Sequence, residues 1–526
     1  MTRTFLGWLA VGLTACVWTA CVGDDSGLPP DSGGDVAVAD SGSSESSLSS
    51  LTANPTSLTV MRGASASTTL TLGGAAVANG ATFTVTGAPT GVTATAPAIA
   101  SGQTTSTLQV QATASATEGS STLTVSAPGL SDLKIPLLVG GAPGTLDESW
   151  DNDGLLIDTA SANGVFFALT VQSDGSVVAV GGTAASGGKW LVRRFDPTGK
   201  PDTAFDAAVA SAIPQGGAAH AVQIDPTSTK LVIVGDNGAA TDQMAVVRLN
   251  QDGSADQAFA NAGTFTATNV DFPQGSSAGG VVVRSDSSIV LAGNTTTTAT
   301  PPFVFALDST GAADASFVRY TAPNKGALTA IAELSTGALL AVGTDSSGSP
   351  PAAVVVRLTA NGSPDLSFGG SGVRTYASPT SGNGFSLTST GDGLVVGTDI
   401  TQADSFAELR FGASSSGGQL WSKTFGGGNN ARLRGAAPGP NDATYAAGWY
   451  SASMDSYAIV ERRLPTGSLD PAFGDAGGTL TFEDPGTPDT YAYQFYCATT
   501  SKDGRLLVGG SRSIGGTGAV VIRIWP

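Results

Sequence analysis

A short phrase that recurs along most of this 526-residue chain restricts its fold more than any other feature. The phrase is Gly-x-x-Asp-x-(Ser/Ala)-(Phe/Trp), and its six copies occupy Gly144–Trp150, Gly199–Phe205, Gly253–Phe259, Gly311–Phe317, Gly362–Phe368 and Gly467–Phe473. The first and last aromatic ends are 473 − 150 = 323 residues apart, which is six steps of about 54 residues when one unit lacks the phrase. A fixed period of this size indicates a repeat architecture.

Each unit contains two further phrases. The first is an apolar strand that follows a turn and ends in Gly, as in Ser335–Gly343. The second is a strand that ends in Arg and an apolar residue, with the arginines at Arg194, Arg248, Arg357, Arg410, Arg463 and Arg523. Counting the apolar strands gives seven units. Short strands without helical periodicity predict an all-β fold, a seven-bladed β-propeller with four strands in each blade.

The two ends of the repeat region complement each other. The last unit stops at Pro526, just before its Asp-containing phrase is due, and the copy at Gly144–Trp150 stands in front of the first unit. We therefore expect residues 144–157 to complete the last blade and close the ring, which removes the exposed edges of an open array. An open solenoid, the competing architecture, should carry atypical polar caps at its ends.

Two segments precede the repeats, which span residues 144–526. Residues 51–140 alternate apolar and polar side chains, as at Leu70/Leu72 and Leu108/Val110, with turn residues between the alternating runs. This pattern predicts a small β-sandwich. Residues 22–50 are rich in Pro, Gly, Ser and Asp and have few large apolar side chains, so we predict a disordered tether.

Residues 1–21 are typical of an export signal, with one positive charge, an apolar run and small residues. Leu13–Cys16 resembles a bacterial lipobox, whose cysteine becomes lipid-modified. Cys21 is a second candidate, because the polar part of the chain begins directly after it. The leader predicts a bacterial cell-envelope lipoprotein at the outer membrane or cell surface, bound to the membrane only through its lipid. A secreted protein without lipid is the alternative.

Taken together, the three phrases resemble the delta-60 repeat of bacterial secreted and surface proteins. The resemblance covers residues 144–526 and implies a β-propeller at the cell surface, without implying any chemistry. The fifth unit differs, because residues 418–427 are more similar to the SBBP-type propeller repeat. Residues 87–95 and 114–125 resemble bacterial immunoglobulin-like modules, which are usually spacers or adhesion units.

The recurrent acid of the opening phrase is the first candidate site. Its copies are Asp147, Asp202, Asp256, Asp314, Asp365 and Asp470. The Asp follows the recurrent Arg by eight residues in three units and by seven between Arg463 and Asp470. We predict a structural Arg–carboxylate pair in each blade. Ala306 replaces the Arg in the third unit and the fifth unit lacks the Asp, which argues against one catalytic site per blade.

Other candidates for binding are few. His220, the only histidine, lies on a predicted innermost strand from which it can face a central channel. Tyr491 and Tyr493 belong to a stretch of aromatic and acidic residues that suits a sugar or a cation, with core packing as the alternative. Residues 151–154 contain part of a calcium loop but lack its further acids. Cys497 is expected to be a buried, inert thiol. No metal and no cofactor is predicted.

The net charge of −18 argues against negatively charged partners such as nucleic acid, because the protein would repel them. The remaining partners are a protein, a glycan or a small ligand. Two hypotheses follow: a binding or scaffold module, or an extracellular hydrolase or lyase that acts on polysaccharide. Two carboxylates roughly 5–10 Å apart at the channel would favour glycoside chemistry.

Overall fold

The computed structural model describes residues 50–526 except 74–79, 162, 184–187, 215, 240–242, 269–271, 273–274, 296–300, 403, 414–415, 427–428, 453–454, 475–476, 483–492 and 513–517. The residues it describes belong to one compact unit. The predicted export signal with Cys16 and Cys21, all but residue 50 of the predicted tether, and Tyr491 lie outside the described residues.

The first part of this unit consists of eight strands: β1 (Leu51–Asn54), β2 (Leu58–Met61), β3 (Ser65–Leu72), β4 (Thr84–Thr86), β5 (Val92–Thr95), β6 (Thr105–Ala112), β7 (Gly119–Ser126) and β8 (Leu133–Gly140). They form two sheets, ordered β1-β3-β6-β5 and β2-β8-β7-β4. Alternate side chains of a strand point to opposite faces. Leu108 and Val110 of β6 are therefore both buried in the core, while the residues between them are exposed.

The strands of the repeat region are β9 (Leu155–Asp158), β10 (Gly164–Val171), β11 (Val177–Thr183), β12 (Trp190–Phe195), β13 (Ala219–Ile224), β14 (Leu231–Asp236), β15 (Met244–Leu249), β16 (Thr264–Thr266), β17 (Ser277–Val283), β18 (Ile289–Asn294), β19 (Phe303–Leu307), β20 (Tyr320–Thr321), β21 (Gly326–Glu333), β22 (Leu339–Asp345), β23 (Ala352–Leu358), β24 (Val373–Tyr376), β25 (Gly384–Leu387), β26 (Gly393–Asp399), β27 (Ser405–Phe411), β28 (Gln419–Phe425), β29 (Asn429–Pro438), β30 (Thr444–Ala452), β31 (Asp455–Arg463), β32 (Thr479–Phe482), β33 (Tyr493–Thr500), β34 (Leu506–Arg512) and β35 (Gly518–Ile524). One α-helix, α1 (Thr203–Val209), and two 3₁₀ turns, Ile400–Gln402 and Pro440–Asp442, complete the assigned elements.

These strands pair in sequence order into antiparallel sheets: β10-β11-β12, β13-β14-β15-β16, β17-β18-β19-β20, β21-β22-β23-β24, β25-β26-β27-β28, β29-β30-β31-β32 and β33-β34-β35-β9. The first strands of successive sheets contact each other, from β10 through β13, β17, β21, β25 and β29 to β33, and β33 contacts β10. Strands in the middle of each sheet, such as β14, are apolar because sheets cover both of their faces. This arrangement is a β-propeller.

The end of the chain pairs with its repeat-region start. β9 is hydrogen-bonded to β35 as the outermost strand of the last sheet. The backbone of the preceding phrase also pairs with the end of the chain, because the Trp525 amide donates a hydrogen bond to the Thr145 carbonyl. The displaced copy of the phrase at Gly144–Trp150 therefore lies where the last unit lacks its own.

The first repeat sheet departs from the predicted four strands. Three strands are assigned to it, and α1 follows the phrase at Gly199–Phe205. The recurrent Asp202 caps this helix, because its carboxylate accepts the amide hydrogen of Phe205 at 3.0 Å. The segment from residue 206 to 210 is mostly Ala, whose helix propensity is the highest of all residues.

Candidate functional site

The inner strands of the propeller are interrupted at equivalent places. In six of them the pairing with the second strand shifts by one residue, which is the pattern of a β-bulge. A bulge leaves one residue unpaired and redirects its side chain. The residues skipped in this way are Phe167, His220, Gly279, Thr329, Arg434 and Tyr496.

All six bulge residues line one cavity of about 340 Å³. Asn383, directly before β25, contributes from the remaining sheet, and Ser277 and Asn294 complete the lining. We call the seven residues Phe167, His220, Gly279, Thr329, Asn383, Arg434 and Tyr496 the slot residues, and the cavity the channel mouth. Every repeat sheet thus supplies one slot residue at the centre of the ring, and no two of these residues are of the same type.

The glycine that ends the first phrase makes room for the bulge. A Cβ at Gly343 would overlap the carbonyl oxygen of Ala327, two residues before the slot residue Thr329. The same holds for the glycines and carbonyls at Gly181 and Val165, Gly235 and Ala218, Gly293 and Ser277, Gly397 and Ser381, Gly448 and Arg432, and Gly510 and Gln494. The repeated glycine therefore serves the backbone geometry that places the slot residue.

Aromatic rings form one side of the channel mouth. The rings of His220 and Phe167 are 5.8 Å apart, and those of Phe167 and Tyr496 are 5.5 Å apart in an edge-to-face arrangement. Tyr496 in turn packs on Trp449 at 4.8 Å. The Tyr496 hydroxyl donates to Gln494 Oε1 at 2.8 Å. This continuous aromatic wall spans three inner strands.

Arg434 lies against this wall. Its guanidinium carbon is 5.6 Å from the Trp449 ring centre and 5.5 Å from that of Tyr496, within the range of a cation–π contact. The Arg434 side chain is exposed to solvent. The protein around the guanidinium nevertheless displaces part of its water, which lowers the pKa of Arg434. Tyr496 raises this pKa and Arg432 lowers it further. Among the described residues, no carboxylate forms an ion pair with Arg434.

Polar groups lie elsewhere around the channel mouth. His220 Nε2 is 2.8 Å from Asp236 Oδ2, so the carboxylate holds the imidazole in place. The Asn294 side-chain oxygen accepts the amide hydrogen of Leu328 at 2.7 Å, which leaves its NH₂ group for other partners. The Thr329 hydroxyl donates to the Gly382 carbonyl at 2.9 Å, so its oxygen can still accept. The channel mouth thus combines an aromatic wall, a cation and neutral hydrogen-bonding groups.

Of the two tyrosines selected from the sequence, Tyr493 is described by the structure, and it is not part of the cavity lining. Tyr493 is 7% exposed and packs in the core with Phe482 and Phe495. Tyr496 takes the channel position, three residues later and therefore on the other face of β33, where the pairing with β34 skips it. His220 lies in the cavity lining, on an innermost strand as expected.

The sequence does contain a signal for the slot residues. Thr329 precedes Ser335, the first residue of its apolar-strand phrase, by six positions. The same spacing separates Tyr496 from Lys502 and Phe167 from Ser173. Aligning the units on this phrase therefore locates a column whose residues share no chemical type, and this lack of similarity is why a search for conserved phrases passes over it.

The recurrent Arg and Asp lie apart from the channel mouth and hold the sheets together. Arg248 Nε binds Asp256 Oδ2 at 2.7 Å, its guanidinium lies over the Phe259 ring, and Nη1 donates to the Ser309 carbonyl of the next unit. Arg194–Asp202, Arg357–Asp365 and Arg523–Asp147 are paired in the same way. One guanidinium thus joins its own phrase to the neighbouring unit.

Three units depart from the predicted pairs. Arg463 does not pair with Asp470; the adjacent Arg462 does, at 2.8 Å, which restores the eight-residue spacing of the other units. Arg410 binds Asp392 and Asp442. In the third unit, where Ala306 replaces the Arg, Asp314 accepts hydrogen bonds from Ser316, and Arg284 reaches over the Phe317 ring and donates to the Ala360 carbonyl.

Arg463 instead joins two buried carboxylates. Its Nε is 2.8 Å from Glu408 Oε2 and 2.8 Å from Glu461 Oε1, and both glutamates are 1% exposed. Burial raises the pKa of Glu461 well above its ordinary value, the neighbouring Glu408 raises it further, and Arg463 opposes both effects. These carboxylates are not part of the channel-mouth lining, and their burial keeps them from a dissolved substrate.

We expect Glu461→Gln to stabilise the protein, and to do so more at pH 8 than at pH 5. A carboxyl whose pKa is raised on folding stabilises the native state below its unfolded pKa, and this contribution is lost as the pH rises toward the folded pKa. Glutamine avoids this loss, so the gain increases by up to about 1.4 kcal/mol per pH unit. Urea unfolding at both pH values measures it, with the exposed Glu148→Gln as control. Equal effects of Glu461→Gln at both pH values would contradict the raised pKa.

The other candidates behave as structural groups. Cys497 is buried, and burial raises its pKa to about 12. Asp153 of the partial calcium loop accepts the amide hydrogen of Leu155 at 2.9 Å. Within the described parts of the chain, no group of three or more His, Cys, Asp or Glu is arranged to hold a metal ion. Nor is any helix there long and apolar enough to cross a membrane.

Comparison with known proteins supports the fold. Residues 172–205, 230–259 and 334–368 match the family model of the domain of unknown function DUF5122, described as a β-propeller. The all-β propeller predicted from the sequence is therefore confirmed. The search of curated proteins found no match.

Several solved structures are similar at low identity. Domains 4 and 5 of the S-layer protein SbsC are 24% identical, with 18% of this chain and 52% of that fragment covered and a TM-score of 0.15. A gluconolactonase from Xanthomonas campestris is 13% identical, with coverages of 73% and 95% and a TM-score of 0.33. The WD40 domain of SCAP from fission yeast is 8% identical, with coverages of 70% and 87% and a TM-score of 0.37. The chain spans about half of the S-layer fragment.

Proposed function

We propose that this protein is an exported binding module whose propeller holds a ligand at the channel mouth. One observation supports this most: every repeat sheet places one residue at this cavity, six of them at a bulge, and these residues differ while the structural phrases recur. A repeated scaffold with one variable position per unit suits recognition, because each unit contributes a different contact. The cavity volume is within the usual range for small ligands.

We also propose the finer architecture on which this depends. Each repeat sheet is one blade, so the ring has seven blades and β9 closes it. The two sheets of β1–β8 are an immunoglobulin-like sandwich. Residues 22–50 tether the folded part to the cell envelope, with a lipid on Cys16 or Cys21.

The lipid anchor has a direct test. We expect the full-length protein to fractionate with bacterial membranes, and the double variant Cys16→Ser/Cys21→Ser to lose membrane association. Retention of the double variant in the membrane fraction would contradict the anchor. Single substitutions identify which cysteine carries the lipid.

The binding role is tested by removing the aromatic wall. We expect some members of a panel of monosaccharides, disaccharides and amino acids to raise the melting temperature of the wild type. The double variant Phe167→Ala/Tyr496→Ala should bind the same compounds at least tenfold more weakly in calorimetry. The control is Leu420→Ala, an exposed site on β28. Unchanged affinity in the double variant would exclude the channel mouth as the site.

A second function is suggested by one contact, the bond between His220 and Asp236 in the channel mouth. A histidine oriented by a carboxylate can act as a general base, which keeps the hydrolase or lyase hypothesis open. Of this dyad, His220 belongs to the cavity lining, and among the described lining residues there is no Asp or Glu. Release of reducing ends from polysaccharides by the wild type, with loss in His220→Ala, would favour the enzyme over the binding module.

A further inference from the structure

We propose that the channel mouth selects a small sugar acid, a single pyranose ring that carries one carboxylate, and that Arg434 is the residue that recognises the carboxylate. This inference rests on the proposed binding function and specifies its ligand class. It is argued from the charge, the aromatic wall, the polar groups and the size of the cavity.

The charge of the channel mouth comes from Arg434. Its guanidinium is held beside two aromatic rings, and among the described residues it has no carboxylate partner. The nearby acid, Asp236, is engaged by His220. A guanidinium donates two parallel hydrogen bonds to a carboxylate, and such charge-assisted bonds are about twice as strong as neutral ones. Partial loss of water around Arg434 strengthens this attraction further.

The aromatic wall selects a ring. Phe167 and Tyr496 are both partly exposed in the cavity and meet edge to face. Their apolar surfaces can cover one face of a pyranose, which carries C–H groups. The Asn294 NH₂ group and the Thr329 hydroxyl oxygen then provide a donor and an acceptor from two other sheets, because the hydrogen bonds within the protein use the Asn294 oxygen and the Thr329 hydroxyl hydrogen. Neutral donors and acceptors of this kind suit sugar hydroxyls.

Size and overall charge exclude longer acidic chains. The cavity of about 340 Å³ is at the lower end of ligand sites, which fits one sugar ring. A polyanion would have to approach a protein with a net charge of −18, and its charges outside the channel mouth would be repelled. A single carboxylate inside the channel mouth lies close to Arg434, whereas more distant acids are screened beyond about 8 Å at physiological salt.

The test compares glucuronate with glucose, which has the same ring but no charge, and with benzoate, which has the charge but no hydroxyls. We expect wild-type protein to bind glucuronate at least tenfold more tightly than either compound in isothermal titration calorimetry. Arg434→Gln should weaken glucuronate binding at least tenfold and so remove the preference for glucuronate over glucose. Arg374→Gln makes the same change in net charge on the outermost strand β24 and should have no effect. Melting temperatures show that each variant is folded.

Three results would overturn the ligand class: glucuronate binding no better than glucose, benzoate binding as well as glucuronate, or Arg434→Gln binding glucuronate like the wild type. If a neutral panel compound instead binds in a way that depends on Phe167 and Tyr496, the sugar acid is wrong and the proposed binding function stands. If neither glucuronate nor any panel compound depends on those two aromatic residues, the channel mouth itself is not the site and both proposals fail.

Discussion

Gly343→Ala is expected to lower the free energy of unfolding by about 3 kcal/mol, although it adds a single methyl group. The added carbon would overlap the carbonyl oxygen of Ala327. That oxygen belongs to the bulged inner strand, which packs on neighbouring strands and has little freedom to move. Because native domains are stable by only about 5–15 kcal/mol, such a loss is large. Urea unfolding followed by tryptophan fluorescence measures it.

The matched control is Gly418→Ala. A Cβ at Gly418 has open space around it, so we expect a change within about 0.5 kcal/mol. Equal stability of Gly343→Ala and Gly418→Ala would contradict the close approach of backbone that we assign to every bulge. The same substitution at Gly510, which faces the Gln494 carbonyl, should repeat the effect of Gly343→Ala at the channel position of Tyr496.

Arg523→Met is the second change with a large expected effect, a loss of about 3 kcal/mol. Arg523 donates to the fully buried Asp147 at 2.6 Å, to Ser149 at 2.8 Å and to the Pro197 carbonyl at 2.8 Å. It therefore connects the last sheet, the displaced phrase and the first sheet. Removing it leaves the buried carboxylate with Arg505, at 3.0 Å, as its remaining ion-pair partner among the described residues. Equilibrium unfolding in urea measures the loss.

Two comparisons isolate this effect. Arg62→Met breaks a partly exposed pair with Glu118 in the sandwich and should change stability by at most about 1 kcal/mol. The double variant Arg523→Met/Asp147→Leu should be less destabilised than the sum of its single changes, because either single change already breaks the ion pair between the two residues. Strict additivity, or a loss no larger than that of Arg62→Met, would show that ring closure does not depend on this pair.

The repeated parts of the fold were predictable because each recurring residue makes the same structural contact in most units. The Gly that ends the apolar strand faces a bulge, and the Asp of the third phrase binds an Arg. Where two arginines are adjacent, the phrase of Arg and an apolar residue selected Arg463, although the eight-residue spacing of the other units points to Arg462, which is the partner of Asp470. Arg463 instead binds Glu461 of its own strand and Glu408 of the neighbouring sheet. The contact with Glu408 joins residues that are far apart in sequence, so the repeat spacing does not predict it.

The candidate site was less predictable for a different reason. Tyr493 was selected because aromatic and acidic residues are mixed around it, a pattern that does not indicate which of the rings faces the channel. Tyr493 is buried on one face of β33, whereas Tyr496, three residues later and skipped by the strand pairing at the bulge, lines the channel mouth. The bulge itself leaves no residue signature on the inner strand, and its mark in the sequence is the glycine on the partner strand, at Gly510.

The central claim is that function lies in the slot residues, where the units differ. A crystal structure of the protein with the tightest-binding compound of the panel tests it most directly. We predict that the compound occupies the channel mouth in contact with Tyr496 and Arg434, with the outer strands of the sheets unoccupied. A compound bound on the sandwich or on the outer strands, with only solvent at the channel mouth, would contradict the account.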